Sequence, residues 1–156
     1  FLEHRELMAT RGCVPETDYE IPFGQARVAR EGTDTTVVAL SLMVHHTLAA
    51  AEKLAGEGQS IEVIDPRTVS PLDFDTILGS VAKTGRLLVV DEAFGPCGFA
   101  SEIAARVADE GFDELDAPVR RLNGAHAPVP YSPTLEQAVV PGADTIEAAI
   151  RALLEE

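Results

Sequence analysis

The chain has 156 residues, 46% of them hydrophobic, with six Phe, two Tyr and no Trp. That length suits one domain around one core, here built from aliphatic side chains and alanine-rich helices. A net charge of −14, from 26 acidic against 12 basic residues, excludes nucleic acid and anionic membrane surfaces, which need a basic footprint; it is compatible with a basic protein partner and equally with plain solubility.

Two cysteines, Cys13 and Cys97, sit far apart and outside any Cys-x-x-Cys or zinc-type spacing, so there is no disulfide framework and a cytoplasmic location is expected. No apolar run reaches the roughly 18 residues of a membrane span, and no signal peptide is visible. The sequence opens on Phe1 rather than Met, which we read as a piece of a longer chain.

Residues 1–24, with two prolines, scattered charge and little periodicity, read as a linker or arm from a missing amino-terminal domain. A second unit is expected over 25–156. "QARVARE" alternates weakly and suits an antiparallel edge strand. "TTVVALS" (35–41) is a dense β-branched run, as strands covered on both faces show. A helix follows over about 44–57, with Val44, Leu48, Ala51 and Ala55 on one stripe and Gly58 as its stop. "IEVID" (61–65) is the second strong strand. Pro66 ends its ladder, having no N–H to donate. The next helix is expected over 71–83, with Ser70 as cap, Pro71 first and Asp73 completing an S-x-x-D box; Asp73 is the alternative cap. Its inner face is Phe74, Ile77, Leu78 and Val81, and Gly85 stops it.

"RLLVVDE" (86–92) is the third strand. The turn "FGPCG" (94–98) leads to a helix over 99–110 that buries Ala100, Ile103, Ala104 and Val107, and "APVRRLN" (117–123) is the fourth strand. A proline-rich loop (124–133) precedes a short helix over 133–139. The last helix is expected to open on an Asp144/Glu147 capping box and to bury Ile146, Ala149, Ile150, Leu153 and Leu154. Strand and helix alternate at least three times. This predicts a three-layer α/β fold, mostly parallel, with right-handed crossovers and helices on both faces.

Ligands and partners of such sheets gather at the carboxyl ends of the strands. Those ends supply Ser41, Asp65, Arg67, Asp91, Glu92 and the loop Asn123–His126. Arg67, Asp91, Glu92 and His126 have the side chains for acid–base chemistry. However, no nucleophile–base motif ties them together, and the spacing favours loop ion pairs or a subunit interface. "GPCG" before a helix could cradle an anion on backbone N–H groups, which would make the chain a free-standing, flavodoxin-like anion-binding module. It carries neither dinucleotide nor P-loop glycine spacing, so turn geometry is the plainer reading. Cys97 is a lone thiol, and adjacent His45 and His46 cannot share a helix face to bind a metal.

Six motifs stand in order along the whole chain: "FLEHRELM", "YEIPFGQARVAREGTDTTVVA", "IEVIDPRTVSPLD", "LLVVDEAFGPCGFASEIAARV", "LDAPVRRLNG" and "PVPYSPTLEQAVVP". Together they resemble the carboxyl-terminal half of the β subunit of the 2-oxo acid dehydrogenases that act on pyruvate, branched-chain 2-oxo acids or acetoin, relatives of transketolase. The resemblance implies a whole enzyme that uses thiamine diphosphate and magnesium to decarboxylate a 2-oxo acid oxidatively and to acylate a lipoyl group. It places the catalytic glutamate and histidine on the amino-terminal domain, leaving no catalytic, cofactor-binding or metal residue in this stretch. It also implies a heterotetramer with an α subunit and a second β subunit, and docking on a dihydrolipoyl acyltransferase core. Asp116 and Glu156 would accept contacts from a small basic domain of that core. Arg67, Asp91, Glu92 and His126 become subunit-interface candidates. Two departures from the family stand out: Arg120 and Arg121 lie close to Asp116, and Cys97 occupies a turn that is ordinarily plain glycine.

Overall fold

The computed structural model describes residues 3–156. Its centre is a five-stranded sheet in the order β1-β3-β2-β4-β5, formed by β1 (Arg27–Arg30), β2 (Thr35–Ala39), β3 (Ile61–Asp65), β4 (Leu87–Phe94) and β5 (Arg120–Gly124). β2, β3, β4 and β5 run parallel, and β1 closes one edge antiparallel to β3. The weakly alternating "QARVARE" therefore is an edge strand, as its composition indicates. Five helices surround the sheet: α1 (Met43–Ala55), α2 (Phe74–Thr84), α3 (Phe99–Glu110), α4 (Pro133–Val139) and α5 (Ala143–Leu154).

Strand periodicity sorts the core into two layers. Val37, Ala39, Leu88 and Val90 face α1 and α5, where Leu54, Ile146, Ile150 and Leu153 meet them. Their neighbours Val38, Leu87 and Val89 face α2 and α3, against Ile77, Val81, Ile103 and Val107. Being covered on both sides is what makes these strands continuous apolar runs. Ile146, Ile150 and Leu153 are wholly buried, worth about 1.5–3 kcal/mol each against about 1 for a helix cap. Docking on the sheet, more than capping, holds α5.

Several boundaries differ from the sequence reading. α2 starts at Phe74, not Pro71, because Asp73 is its cap: Thr76 N–H donates to Asp73 Oδ1 at 3.2 Å and Thr76 Oγ1 to Oδ2 at 2.8 Å. Asp73 Oδ2 also accepts the Ala26 N–H at 2.8 Å, so one carboxylate both caps the helix and ties down the entry to β1. α5 starts one residue before Asp144, with Gly142 as cap. The Gly142 N–H donates to Thr145 Oγ1 at 2.9 Å, and Asp144 instead pairs with Lys53 of α1 at 2.6 Å. α1 ends at Ala55 with Gly56 as its cap, two residues short of the expected end at 57. β5 begins three residues later than expected, past Pro118, which has no N–H for the ladder. β4 runs on to Phe94 through an irregularity in its register with β5 after Asp91.

Three residues other than glycine adopt left-handed backbone: Ser41 (φ 54°), Arg67 (φ 59°) and Cys97 (φ 58°). Each lies just beyond the carboxyl end of a central strand, on one rim of the sheet. Residues 3–24 lie outside the sheet, with one 3-10 turn at Arg5–Ala9. Among the described residues, no helix is long and apolar enough to cross a membrane.

Candidate functional site

The carboxyl rim collects the residues singled out above without joining them into a catalytic set. Asp91 is buried, and its carboxylate accepts only the Ala93 N–H, at 3.0 Å. Burial pushes its acid group up from 3.8, with the Ala93 N–H opposing. Glu92 is half-buried and accepts a hydrogen bond from His4 Nε2 at 3.0 Å, so the arm reaches back onto this rim. The His126 ring lies over Phe94, centroids 5.1 Å apart and tilted by 31°. Arg67 is exposed, and its N–H donates to Asp65 Oδ1 at 3.0 Å. These partners are a nearby backbone N–H, an arm histidine, an aromatic ring and a neighbouring aspartate. No hydrogen bond or ion pair among the described residues links any two of Arg67, Asp91, Glu92 and His126. The rim thus shows no proton-transfer pair among the described residues.

In the "FGPCG" turn the Gly98 N–H is taken up inside the turn itself. Gly95 C=O accepts the Gly98 N–H at 3.1 Å and Ser101 Oγ at 3.0 Å. His46 Nδ1 contacts the Pro141 carbonyl at 3.1 Å while His45 is exposed, so the histidine pair diverges. Among the described residues, no group of three or more His, Cys, Asp or Glu side chains is arranged to hold a metal ion.

The opposite rim carries Asp116 and Glu156. Asp116 N–H donates to Gly85 C=O at 2.8 Å, and its carboxylate lies on Gly85, the left-handed cap (φ 68°) of α2. The ion pairs nearby are Arg106–Glu110 and Arg120–Glu156, and Asp116 enters neither. Glu156, by contrast, is gripped by the Arg120 guanidinium, with Nε at 3.0 and 3.2 Å from its two carboxylate oxygens. Arg121, the next residue, reaches Ser101 of α3. Between α3 and the approach to β5 lies an open groove of about 760 Å³, with Asp116 and Arg121 among its lining residues.

One feature escaped the sequence reading. Glu62, in the middle of β3, is only 2% exposed. It accepts from Ser80 Oγ, from Lys83 Nζ and, at 3.2 Å, from the Gly32 N–H; Ser80 and Thr84 in turn bond Thr36 Oγ1 at 2.6 and 2.7 Å. Burial pushes the Glu62 carboxyl up, but Lys83, Ser80 and Gly32 together outweigh it and hold the group below 4.5. The signal was present: a lone acid inside a strand expected to be buried must have partners, and α2 offers Ser80, Lys83 and Thr84 at helical spacing.

These features define the class of domain: a doubly wound α/β sheet with one antiparallel edge. The chain belongs to the transketolase C-terminal domain family, whose sequence pattern matches residues 24–146. It is 50% identical over 151 residues to the β subunit of acetoin:2,6-dichlorophenolindophenol oxidoreductase of Cupriavidus necator, covering 97% of this chain and 45% of that one. It is 43% identical over 157 residues to the 2-oxoisovalerate dehydrogenase β subunit of Bacillus subtilis, covering 99% and 48%. Among solved structures, a split-gene transketolase described as an inactive β4 tetramer superposes with a TM-score of 0.76 at 27% identity, over 91% of this chain and 46% of that one. The chain thus spans just under half the length of the curated relatives it matches.

Proposed function

We propose that this chain is the carboxyl-terminal part of the β subunit of a thiamine diphosphate-dependent 2-oxo acid dehydrogenase, and that its work is assembly rather than chemistry. One observation carries the reading: similarity to such β subunits extends over essentially all of this chain but under half of theirs. On this reading residues 1–24 are the linker from the amino-terminal domain and 25–156 the assembly domain. Thiamine diphosphate and magnesium are held elsewhere in the enzyme, which oxidatively decarboxylates a 2-oxo acid in the cytoplasm. The carboxyl rim, with Arg67, Asp91, Glu92 and His126, faces the α subunit and a second β subunit in a heterotetramer. The opposite rim, with Asp116 and Glu156, docks the acyltransferase core. The buried carboxylate of Asp91, which meets no cation among the described residues, supports this assignment of the carboxyl rim, since a buried charge without a counter-ion calls for a partner from outside.

The test compares residues 1–156 alone with the full β subunit co-expressed with its α subunit, each given thiamine diphosphate and magnesium and assayed for 2-oxo acid decarboxylation. Activity is expected in the assembled enzyme and not in residues 1–156. Turnover by residues 1–156 alone would overturn the assembly reading. No observation favours the anion-binding module.

A further inference from the structure

Arg86 stands just before β4, on the rim where the parallel strands begin. Its Nε is buried and has no hydrogen-bond partner. Among the described residues Arg86 enters no ion pair. Arg5, Arg11, Arg27 and Arg67 also stay outside the ion pairs, but all four are exposed, where water solvates a cation; Arg86 is half-buried. A guanidinium that has lost part of its water and gained no carboxylate is costly, and this chain has 26 acidic residues from which to supply one. Arg86 is among the residues lining an open pocket of about 450 Å³. The other charges of that lining are committed or solvated. Arg151 is held by Glu57 and Glu147. Asp34 accepts the Ser60 N–H at 2.7 Å and Thr33 Oγ1 at 3.1 Å, and Glu155 is exposed. Thr33, Gln59 and Leu154 add a hydroxyl, an amide and a half-buried apolar side chain.

We propose that Arg86 binds the carboxylate of a small organic monocarboxylate, a hydroxy or oxo acid of a few carbons. A guanidinium matches a carboxylate with two parallel N–H···O bonds, both charge-assisted. One uncommitted cation, with Asp34 and Glu155 in the same lining, favours a single negative charge over a phosphate dianion. Thr33 and Gln59 offer hydrogen bonds to the hydroxyl or oxo group that distinguishes such acids from acetate. The inference rests on Arg86 and its surroundings, and on neither the assembly reading nor the docking roles given above.

The experiment uses the full β subunit assembled with its α subunit, and needs no variant that might fail to fold. Phenylglyoxal, which modifies accessible arginines, is applied with and without lactate, and mass spectrometry of the digested protein gives the labelling rate at each arginine. Lactamide, the neutral twin of lactate, and inorganic phosphate are the comparison probes, all at one ionic strength. Because the readout is local to Arg86, lactate bound at any other place in the enzyme does not enter it. Arg86 is expected to label in the free enzyme. With a dissociation constant of about 1 mM, about 10 mM lactate slows that labelling about ten-fold, following one-site occupancy. Lactamide leaves the rate unchanged and phosphate slows it less than lactate does. The exposed Arg27 labels equally throughout. Failure of Arg86 to label without ligand would show its guanidinium already occupied and would overturn the proposal. So would an Arg86 rate indifferent to lactate, equal protection by lactamide, protection by phosphate as strong as by lactate, or the same slowing at Arg27.

Discussion

Arg120 at the start of β5 holds the side-chain carboxylate of Glu156, the last residue, through Nε and Nη2 together. A residue proposed to receive a basic partner is thus already occupied by a cation of its own chain. Arg120→Leu should free it. In the assembled enzyme, affinity for the acyltransferase core should rise by about two- to five-fold at low salt, the range of exposed ion pairs, and the gain should vanish at high salt. Calorimetric titration at two ionic strengths measures this; a weaker complex would show that Arg120 itself contacts the partner.

The Glu62 network should dominate the acid response of the domain. Its carboxyl lies below 4.5 in the fold, so the unfolded chain takes up protons first as pH drops. The stability it supplies is therefore complete above pH 4.5 and is lost as pH falls through the lower folded value. Glu62→Gln leaves the partly exposed Lys83 free to turn to water and should cost about 1–3 kcal/mol at pH 7, or several degrees in Tm. It should also flatten the loss of Tm between pH 5 and 3. An unchanged acid profile would assign that loss to other carboxylates.

Asp91 has the opposite sign. Burial raises its acid group above 3.8, so the protonated form suits the fold and the ionised form opposes it as pH rises. Asp91→Asn should raise the Tm of the isolated domain at pH 7. In the assembled enzyme the same substitution should lower stability, because a cation of the neighbouring subunit would lose its partner. Thermal melts of the two forms in parallel decide this; the same sign in both would remove Asp91 from the interface.

Gly85→Ala tests the seat of Asp116. The left-handed backbone costs an alanine about 1 kcal/mol, and the new Cβ would lie 2.8 Å from Asp116 Cγ. A fall in Tm accompanied by weaker core binding is expected. A fall in Tm alone would mean that Asp116 can move without consequence for docking.

Element centres were legible in the sequence because they follow periodicity. β3 over 61–65 and α3 over 99–110 are as read, and so is the antiparallel edge. Helix starts were less so, because capping is decided by tertiary hydrogen bonds. Asp73 caps α2 while also binding Ala26, 47 residues away, and Asp144 is drawn off by Lys53, 91 residues away. The same holds for the residues proposed to dock a partner. "LDAP" marked Asp116, but nothing local announces that Glu156 meets Arg120 across 36 positions. Glu62 was the missed opportunity, since an acid in a buried strand states its own need for partners.

Ser41, Arg67 and Cys97 turn left-handed where three successive parallel strands end. L-residues resist that conformation by about 1–2 kcal/mol apiece, so the stiff layers beneath must impose it. Loops mounted on such turns leave in fixed directions, so that a subunit docked on this rim, as proposed, would meet a moulded face rather than loose ends. Geometry at such a contact would then be dictated from deep inside one chain.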